Sequence, residues 1–136
     1  MAKTFTAAFA QTPKTAIAVT TAAATLTTTP ANTVLLMTAG AEGALVTRLS
    51  AVPQATATAS KLALYISKDS GTTQYFIDSV LMSAYTQAAT TATPYNVFPN
   101  YSEDSPLRLE AGDQLYVGNM VALAGGVVFR AEYTDF

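Results

Sequence analysis

Short apolar runs separated by turn-forming residues recur along the chain from residue 15 onward. Each run is rich in β-branched or aromatic residues and ends at Gly, Pro, Asn or Asp, which is typical of β-strands joined by turns. No stretch shows the apolar period that a convincing amphipathic helix requires. The pattern therefore predicts eight β-strands, at 15–20, 33–38, 44–52, 61–67, 75–81, 106–110, 114–120 and 126–133.

The predicted strands define a fold class. Evenly spaced short strands with polar turns indicate an all-β protein, and we predict a single antiparallel β-sandwich of the jelly-roll type with about eight strands. An immunoglobulin-like sandwich is the alternative, weakened because the chain has neither the Trp nor the Cys pair usual in that fold. Its 136 residues suffice for one domain. We assign this domain to 15–136, after an extended N-terminal arm at 1–14.

Alternation within the strands predicts which side chains share a face. In the first predicted strand, Ile17 and Val19 lie on one face. In the fourth, Leu62 and Leu64 point inward and Tyr65 points outward. Much of the apolar half of the composition is alanine, so the core must be built partly from thin layers of small side chains.

The stretch LRLEAGDQLYVGN, at 107–119, places the charged residues Arg108, Glu110 and Asp113 close together. Leucine alternation on either side favours two strands joined by a turn over a catalytic group. Gly112 would supply a backbone φ that other residues resist, and Asp113 would bond to nearby backbone N–H groups. We therefore predict that these charges lie on the solvent side of a hairpin.

The chain contains no His and no Cys, which excludes the usual Ser–His and Cys–His nucleophiles and zinc sites. A Ser–Lys pair is conceivable at Ser60–Lys61 or Ser67–Lys68, and a carboxylate pair could serve a glycosidase. None of these residues lies in a recognisable motif, so we predict a protein that is not an enzyme and has no cofactor or metal site. The carboxylates considered are Asp69, Asp78, Glu103, Asp104, Asp113 and Glu132.

Charge is scarce in this sequence. Charged residues make up 12% of the chain, against roughly 25% in an average globular domain. The basic residues are scattered, so we expect no direct nucleic-acid partner. No apolar stretch is long enough for a membrane helix, and no secretory signal is evident, so we expect no membrane partner. A surface with so little charge suits a protein that packs beside its neighbours.

Aromatic residues supply the candidate partner contacts. Two lie in the arm, and the others lie in the loop at 82–105, the longest stretch without a clear period; long loops are often functional. Alternatively, the arm is a frayed terminus, and the loop aromatics fold back to close the open end of the sandwich. The candidates are Phe5, Phe9, Tyr85, Tyr95, Phe98 and Tyr101.

Taken whole, the sequence resembles small structural proteins encoded near the capsid genes of tailed bacteriophages. The resemblance extends over nearly the full length and lies in composition and in the order of the segments. It is carried by the Ala/Thr-rich composition, by TPANTVLLMTAGAEGALVTRLSAV and LALYISKDSGTTQYFIDSVL, by the proline-aromatic loop, and by LRLEAGDQLYVG. The last segment is also similar to the late hairpin of several trimeric jelly-roll domains.

The resemblance implies a capsid decoration, or cement, protein. Such a protein would be made in the bacterial host cytoplasm and would lie on the outer capsid surface of the virion. Its partners would be the major capsid protein and copies of itself, as a homotrimer across capsid subunit junctions. The alternatives are a component of the tail, the head–tail joint or a receptor-binding tip, and a glycan-binding β-sandwich module in which Tyr85, Tyr95 or Tyr101 stacks on sugar.

Overall fold

The computed structural model describes residues 12–136, and this part of the chain contains nine β-strands and no helix. Each of the eight predicted strands is confirmed, and β6 is an addition. The strands are β1 (Thr12–Thr20), β2 (Val34–Thr38), β3 (Ala44–Pro53), β4 (Ser60–Ser67), β5 (Tyr75–Met82), β6 (Asn96–Val97), β7 (Leu107–Leu109), β8 (Gln114–Asn119) and β9 (Val127–Asp135).

The strands form two sheets in which every pair of neighbouring strands is antiparallel. In the first sheet the order is β1-β9-β3, and β6 and β7 both pair with β3. In the second sheet the order is β2-β8-β4-β5. The predicted all-β antiparallel sandwich is therefore confirmed. It has about nine strands.

The hydrophobic core lies between the sheets and combines large and small side chains. In the β1–β9 ladder Ala18 is opposite Phe129, so a small residue makes room beside a large one. Burying each large side chain stabilises the fold by roughly 1.5–3 kcal/mol. The fully buried aliphatic and aromatic residues include Val46, Leu49, Leu62, Leu64, Met82, Phe98, Leu115, Val117, Val127 and Phe129.

Within the described residues β1 begins at Thr12, so residues 12–14, assigned above to the arm, form part of the sandwich. The ladder with β9 extends to the pair Thr12–Asp135, and Lys14 Nζ lies 2.7 Å from Asp135 Oδ2. These contacts override the weak strand propensity of Pro13, which an edge strand tolerates. Residues 1–11, including Phe5 and Phe9, lie outside the described residues, and their role stays a prediction.

Side chains on the outer faces of the two sheets differ in how exposed they are. On β1, Ile17 and Val19 share one face, as predicted, and that face is the exposed outer one. On β4, Tyr65 points outward, as predicted, yet it is buried because the segment at 21–33 lies over it. We call residues 21–33, which connect β1 to β2, the crossing segment.

The crossing segment is held against the second sheet by contacts in its first half. The hydroxyl of Tyr65 donates a hydrogen bond to the carbonyl oxygen of Thr25 at 2.8 Å. Ala24 lies so close to β8 that a Cβ placed on Gly118 would be 2.7 Å from the Ala24 Cβ. Glycine at 118 therefore permits a close approach that a side chain would prevent.

The chain turns between β7 and β8 as predicted, but the predicted hairpin is wrong, because β7 pairs with β3 in the first sheet and β8 pairs with β2 and β4 in the second. Gly112 has the predicted positive φ, +76°, and Asp113 Oδ2 accepts a hydrogen bond from the Glu110 N–H at 2.9 Å. Asp113 is buried, however, whereas Arg108 and Glu110 are exposed. The solvent prediction is wrong for Asp113 because its carboxylate serves the turn backbone and also pairs with Lys68 Nζ at 2.8 Å.

Candidate functional site

The aromatic residues of the loop at 82–105 occupy different environments. Phe98 is completely buried, and its N–H donates to the carbonyl oxygen of Leu49 at 2.9 Å. Its prediction as a partner contact is corrected, because within this chain the ring belongs to the core. Phe98 instead fits the alternative in which loop aromatics fold back to close the open end of the sandwich.

Tyr101 packs half-buried against the same core. Burial, together with the nearby Asp78 carboxylate, raises the pKa of the Tyr101 phenol well above its ordinary value. Asp78 also accepts hydrogen bonds from Asn100 Nδ2 at 3.3 and 3.2 Å. These contacts attach the end of the loop to β5.

Tyr85 attaches the start of the loop to the connection between β3 and β4. Its N–H and carbonyl oxygen form an isolated antiparallel bridge with Ala57, with N–O distances of 2.9 and 2.8 Å. Its hydroxyl donates to the carbonyl oxygen of Thr91 at 3.3 Å. The contacts of Tyr85 in the described chain are thus those of a loop anchor.

Tyr95 is the exposed member of the loop aromatics, at 45% of its full accessibility. It lies on the outer face of the first sheet, where Arg48 Nε and an Arg130 terminal nitrogen donate to its hydroxyl at 3.2 and 2.7 Å. The guanidinium carbons of Arg48 and Arg130 are 5.3 and 5.8 Å from the ring centroid, within cation–π range. We call these three residues the arginine–tyrosine cluster.

The cluster brings two cations together on a chain whose net charge is −2, and Glu132 lies opposite Arg48 in the β3–β9 ladder. Within residues 12–136 the ion pairs found involve Lys14 and Lys68, so neither clustered arginine has a carboxylate partner there. A hydrogen bond from buried Ser50, followed by those from the two arginines, lowers the pKa of Tyr95. Two cations that share one neutral phenol oxygen leave most of their N–H donors available to a ligand.

A cleft with a volume of about 210 Å³ lies beside the cluster, and Arg48 is common to both. One wall comes from β3 and β9 and the other from the loop that follows Tyr101. Its lining combines hydroxyl groups, two carboxylates and one guanidinium, which suits a polar ligand. The lining residues are Thr47, Arg48, Tyr101, Ser102, Glu103 and Glu132.

A β-bulge shapes the wall of the cleft. The β3–β9 register shifts between Val46 and Arg48, leaving Thr47 as the extra residue, and the Thr47 hydroxyl donates to the carbonyl oxygen of Glu132 at 3.2 Å. Bulges redirect side chains and often lie beside functional sites. Glu103 and Glu132, two of the candidates for a carboxylate pair, line the same cleft, whereas no sequence pattern indicated Arg48 or Arg130 as site residues.

A second surface feature is the edge strand β5. Its exposed side chains include Tyr75, Phe76, Ile77 and Leu81, and Leu81 is 67% accessible. The strand contains no Lys and no Pro, the residues with which natural edge strands often prevent association. We call these four side chains the β5 surface.

The remaining candidate groups do not assemble into a second polar site. Ser67 Oγ donates to Asp69 Oδ1 at 2.9 Å, while Lys68 Nζ donates to Asp113, so the two side chains bind different partners. Among residues 12–136, no three acidic residues are grouped in a way that could hold a metal ion. In the same part of the chain no helix has the length and apolar character needed to cross a membrane.

Comparison of the chain with protein-family models, with curated proteins and with solved structures finds no match in any of the three.

Proposed function

We propose that this protein is a non-enzymatic structural protein of a bacteriophage virion. It decorates the capsid shell and stabilises it by binding across the junctions between capsid subunits, with the major capsid protein and further copies of itself as partners. The sequence resemblance suggests this role, and the observation that carries it is the β5 surface on a rigid, weakly charged sandwich. Apolar anchors within a polar rim supply most of the energy of such interfaces.

The strand order supports a jelly-roll assignment within this proposal. The order β1-β9-β3 followed by β6 and β7, facing β2-β8-β4-β5, is the order of an eight-stranded jelly roll if β6 and β7 count as one interrupted strand. Both short strands pair with β3, β6 at Ser50 and Ala51 and β7 at 44–46. Jelly rolls are common in viral coat proteins.

Another copy of this chain occupies the β5 surface in the proposed homotrimer. Asp78 is the only charged residue of β5, and it faces Asn100, which donates to it. Where copies of the β5 surface meet, Lys61, the exposed partner of Leu81 on β4, can keep its ammonium group in the solvated rim. The apolar side chains of the copies then leave solvent together.

The test of location is electron microscopy of virions that carry a tagged form of this chain, with gold bound to a tag after Phe136. We expect gold distributed over the whole head. Gold confined to the tail or its tip would contradict decoration and support the tail alternative. Absence of gold from every particle, with the tag accessible in free protein, would remove the virion role.

The test of the β5 surface is sedimentation of the wild type and of Leu81→Glu. We expect a wild-type trimer and a monomeric variant, because a buried carboxylate opposes association. Leu26→Glu is the matched control, since Leu26 is a similarly exposed leucine on the crossing segment. A monomeric wild type, or equal effects of the two variants, would contradict self-association through β5.

A glycan-binding module is the second candidate function, and the cleft beside the arginine–tyrosine cluster favours it. Its hydroxyl and carboxylate groups can exchange hydrogen bonds with sugar hydroxyls, and Tyr101 supplies an aromatic wall. This function predicts that purified protein binds isolated polysaccharide of the host envelope. Calorimetric titration that shows no binding would exclude it.

A further inference from the structure

We propose that the arginine–tyrosine cluster and the adjoining cleft form one binding site for an acidic saccharide, in which the carboxylate of a uronic acid bridges Arg48 and Arg130. This inference rests on the second candidate function, glycan binding, and names the class of glycan.

The two arginines hold the charged group of the ligand. Both guanidinium groups donate to the hydroxyl of Tyr95, at 3.2 and 2.7 Å, so their donors meet at one oxygen atom. The Tyr95 hydroxyl is the one hydrogen-bond partner of each guanidinium within residues 12–136. Planar carboxylates match the fork of N–H donors that a guanidinium presents, and such charge-assisted pairs are stronger than neutral hydrogen bonds.

Tyr95 keeps the two cations together. Like charges at this distance repel each other, and the phenol oxygen and the face of the ring partly offset that repulsion. Hydrogen bonds from Ser50 first, and then from the two arginines, lower the pKa of Tyr95, so donors surround its oxygen. A bound carboxylate would further offset the repulsion between the two guanidinium groups.

The cleft holds the neutral part of the ligand. Its volume of about 210 Å³ is below the roughly 300–1,000 Å³ of pockets for drug-sized molecules, which limits it to a unit the size of one sugar ring. Glu103 and Glu132 accept hydrogen bonds from sugar hydroxyls, and the hydroxyls of Thr47 and Ser102 both donate and accept. These two carboxylates also disfavour a ligand with anionic groups all around it, so inorganic phosphate fits less well than a sugar with one carboxylate.

Arg48 connects the two parts of the site, because it lines the cleft and donates to Tyr95. Arg130 contacts Tyr95 but does not line the cleft. The two arginines therefore make different predictions. Removal of Arg130 affects only the recognition of the carboxylate, whereas removal of Arg48 affects acidic and neutral saccharides alike.

The experiment is calorimetric titration of the whole chain with a glucuronate-containing oligosaccharide, the matching glucose oligosaccharide, and acetate. We expect the acidic oligosaccharide to bind about tenfold or more tightly than the neutral one, as one charge-assisted contact provides. Arg130→Gln should remove this preference and keep the neutral affinity. Arg108→Gln, which changes an exposed arginine on β7, should keep both.

The outcomes separate the inference from the function on which it rests. Equal binding of both oligosaccharides would overturn the acidic specificity and leave glycan binding in place. Binding of neither would overturn both proposals. Acetate binding as tight as that of the acidic oligosaccharide would show an anion site without sugar recognition, and it would also overturn the inference.

Discussion

The outer faces of the two sheets differ in what lies over them. On the second sheet the crossing segment covers Tyr65, whose hydroxyl bonds to the backbone of Thr25. On the first sheet Tyr95 remains exposed, and its hydroxyl receives two arginines. The same residue type therefore serves stability on one face and presents charge on the other. Whether a connecting segment crosses the face decides between these roles.

Truncation of the two tyrosines should show the largest difference. Tyr65→Ala removes a fully buried aromatic side chain and should lower the free energy of unfolding by about 3–5 kcal/mol. Tyr95→Ala removes an exposed ring and its cation–π contacts, and should cost about 1 kcal/mol or less. Urea denaturation of both variants measures the difference. Equal losses would contradict the distinction between a covered and an open face.

A side chain under the crossing segment should have the next largest effect. Gly118→Ala places a Cβ 2.7 Å from that of Ala24, and overpacking of this kind costs about 1–3 kcal/mol. Ala24→Gly removes the opposing Cβ, so the double variant should recover stability lost in Gly118→Ala. A double-mutant cycle measures this coupling. Strictly additive losses would show that the segment does not press on Gly118.

The hydroxyl of Tyr65 should contribute less than its ring. Tyr65→Phe keeps the packing but removes the hydrogen bond to Thr25, and we expect a loss of about 1 kcal/mol. Hydrogen exchange of the amides at 21–33 should accelerate, because the segment loses one of its attachments. Unchanged stability and exchange would mean that packing alone holds the segment.

The smallest effect is a difference in tyrosine ionisation that leaves the fold intact. Burial raises the pKa of Tyr65, and the surrounding donors lower that of Tyr95. The folded state favours the neutral phenol at 65, so that stabilisation is complete below the unfolded pKa and is lost as pH rises through the folded value. At Tyr95 the folded state favours the phenolate. The resulting stabilisation is present above the unfolded pKa and is lost as pH falls through the folded value.

Ultraviolet absorbance during alkaline titration measures this difference. Tyr95→Phe should remove phenolate absorbance at the low-pH end of the titration, and Tyr65→Phe should remove it at the high-pH end. Arg130→Gln should move the Tyr95 transition to higher pH. Simultaneous ionisation of all tyrosines before unfolding would contradict the assigned environments.

The sequence predicts the fold class well, because the apolar alternation of a strand is visible within a few residues and turn-forming residues mark where each strand ends. It misses β6, since two residues have no period and Asn96–Val97 is a strand only through pairing with β3. Gly118, a glycine inside a strand, was an available sign that another part of the chain approaches closely. The sequence does not show which part.

The candidate site is less accessible to sequence reasoning because it is assembled from distant segments. Tyr95 was identified as a contact residue, but Arg48 and Arg130 meet it only after the β3–β9 ladder and the loop have been placed. The bulge at Thr47 depends on the register of the β3–β9 pairing, which cannot be read from a single sequence. Asp113 was predicted to bond locally, and its burial follows from Lys68 in a different turn.

The position of β9 between β1 and β3 has a consequence for biosynthesis. Because β9 follows all the other strands in the chain, β1 has no partner and β3 lacks one of its two neighbours until almost the entire sandwich has been synthesised. The ladder of β1 joins residues from opposite ends of the described chain, and such distant pairing slows folding. Folding of this domain is therefore completed after translation of β9, and until then the nascent chain keeps β1 and one edge of β3 unpaired and open to other partners.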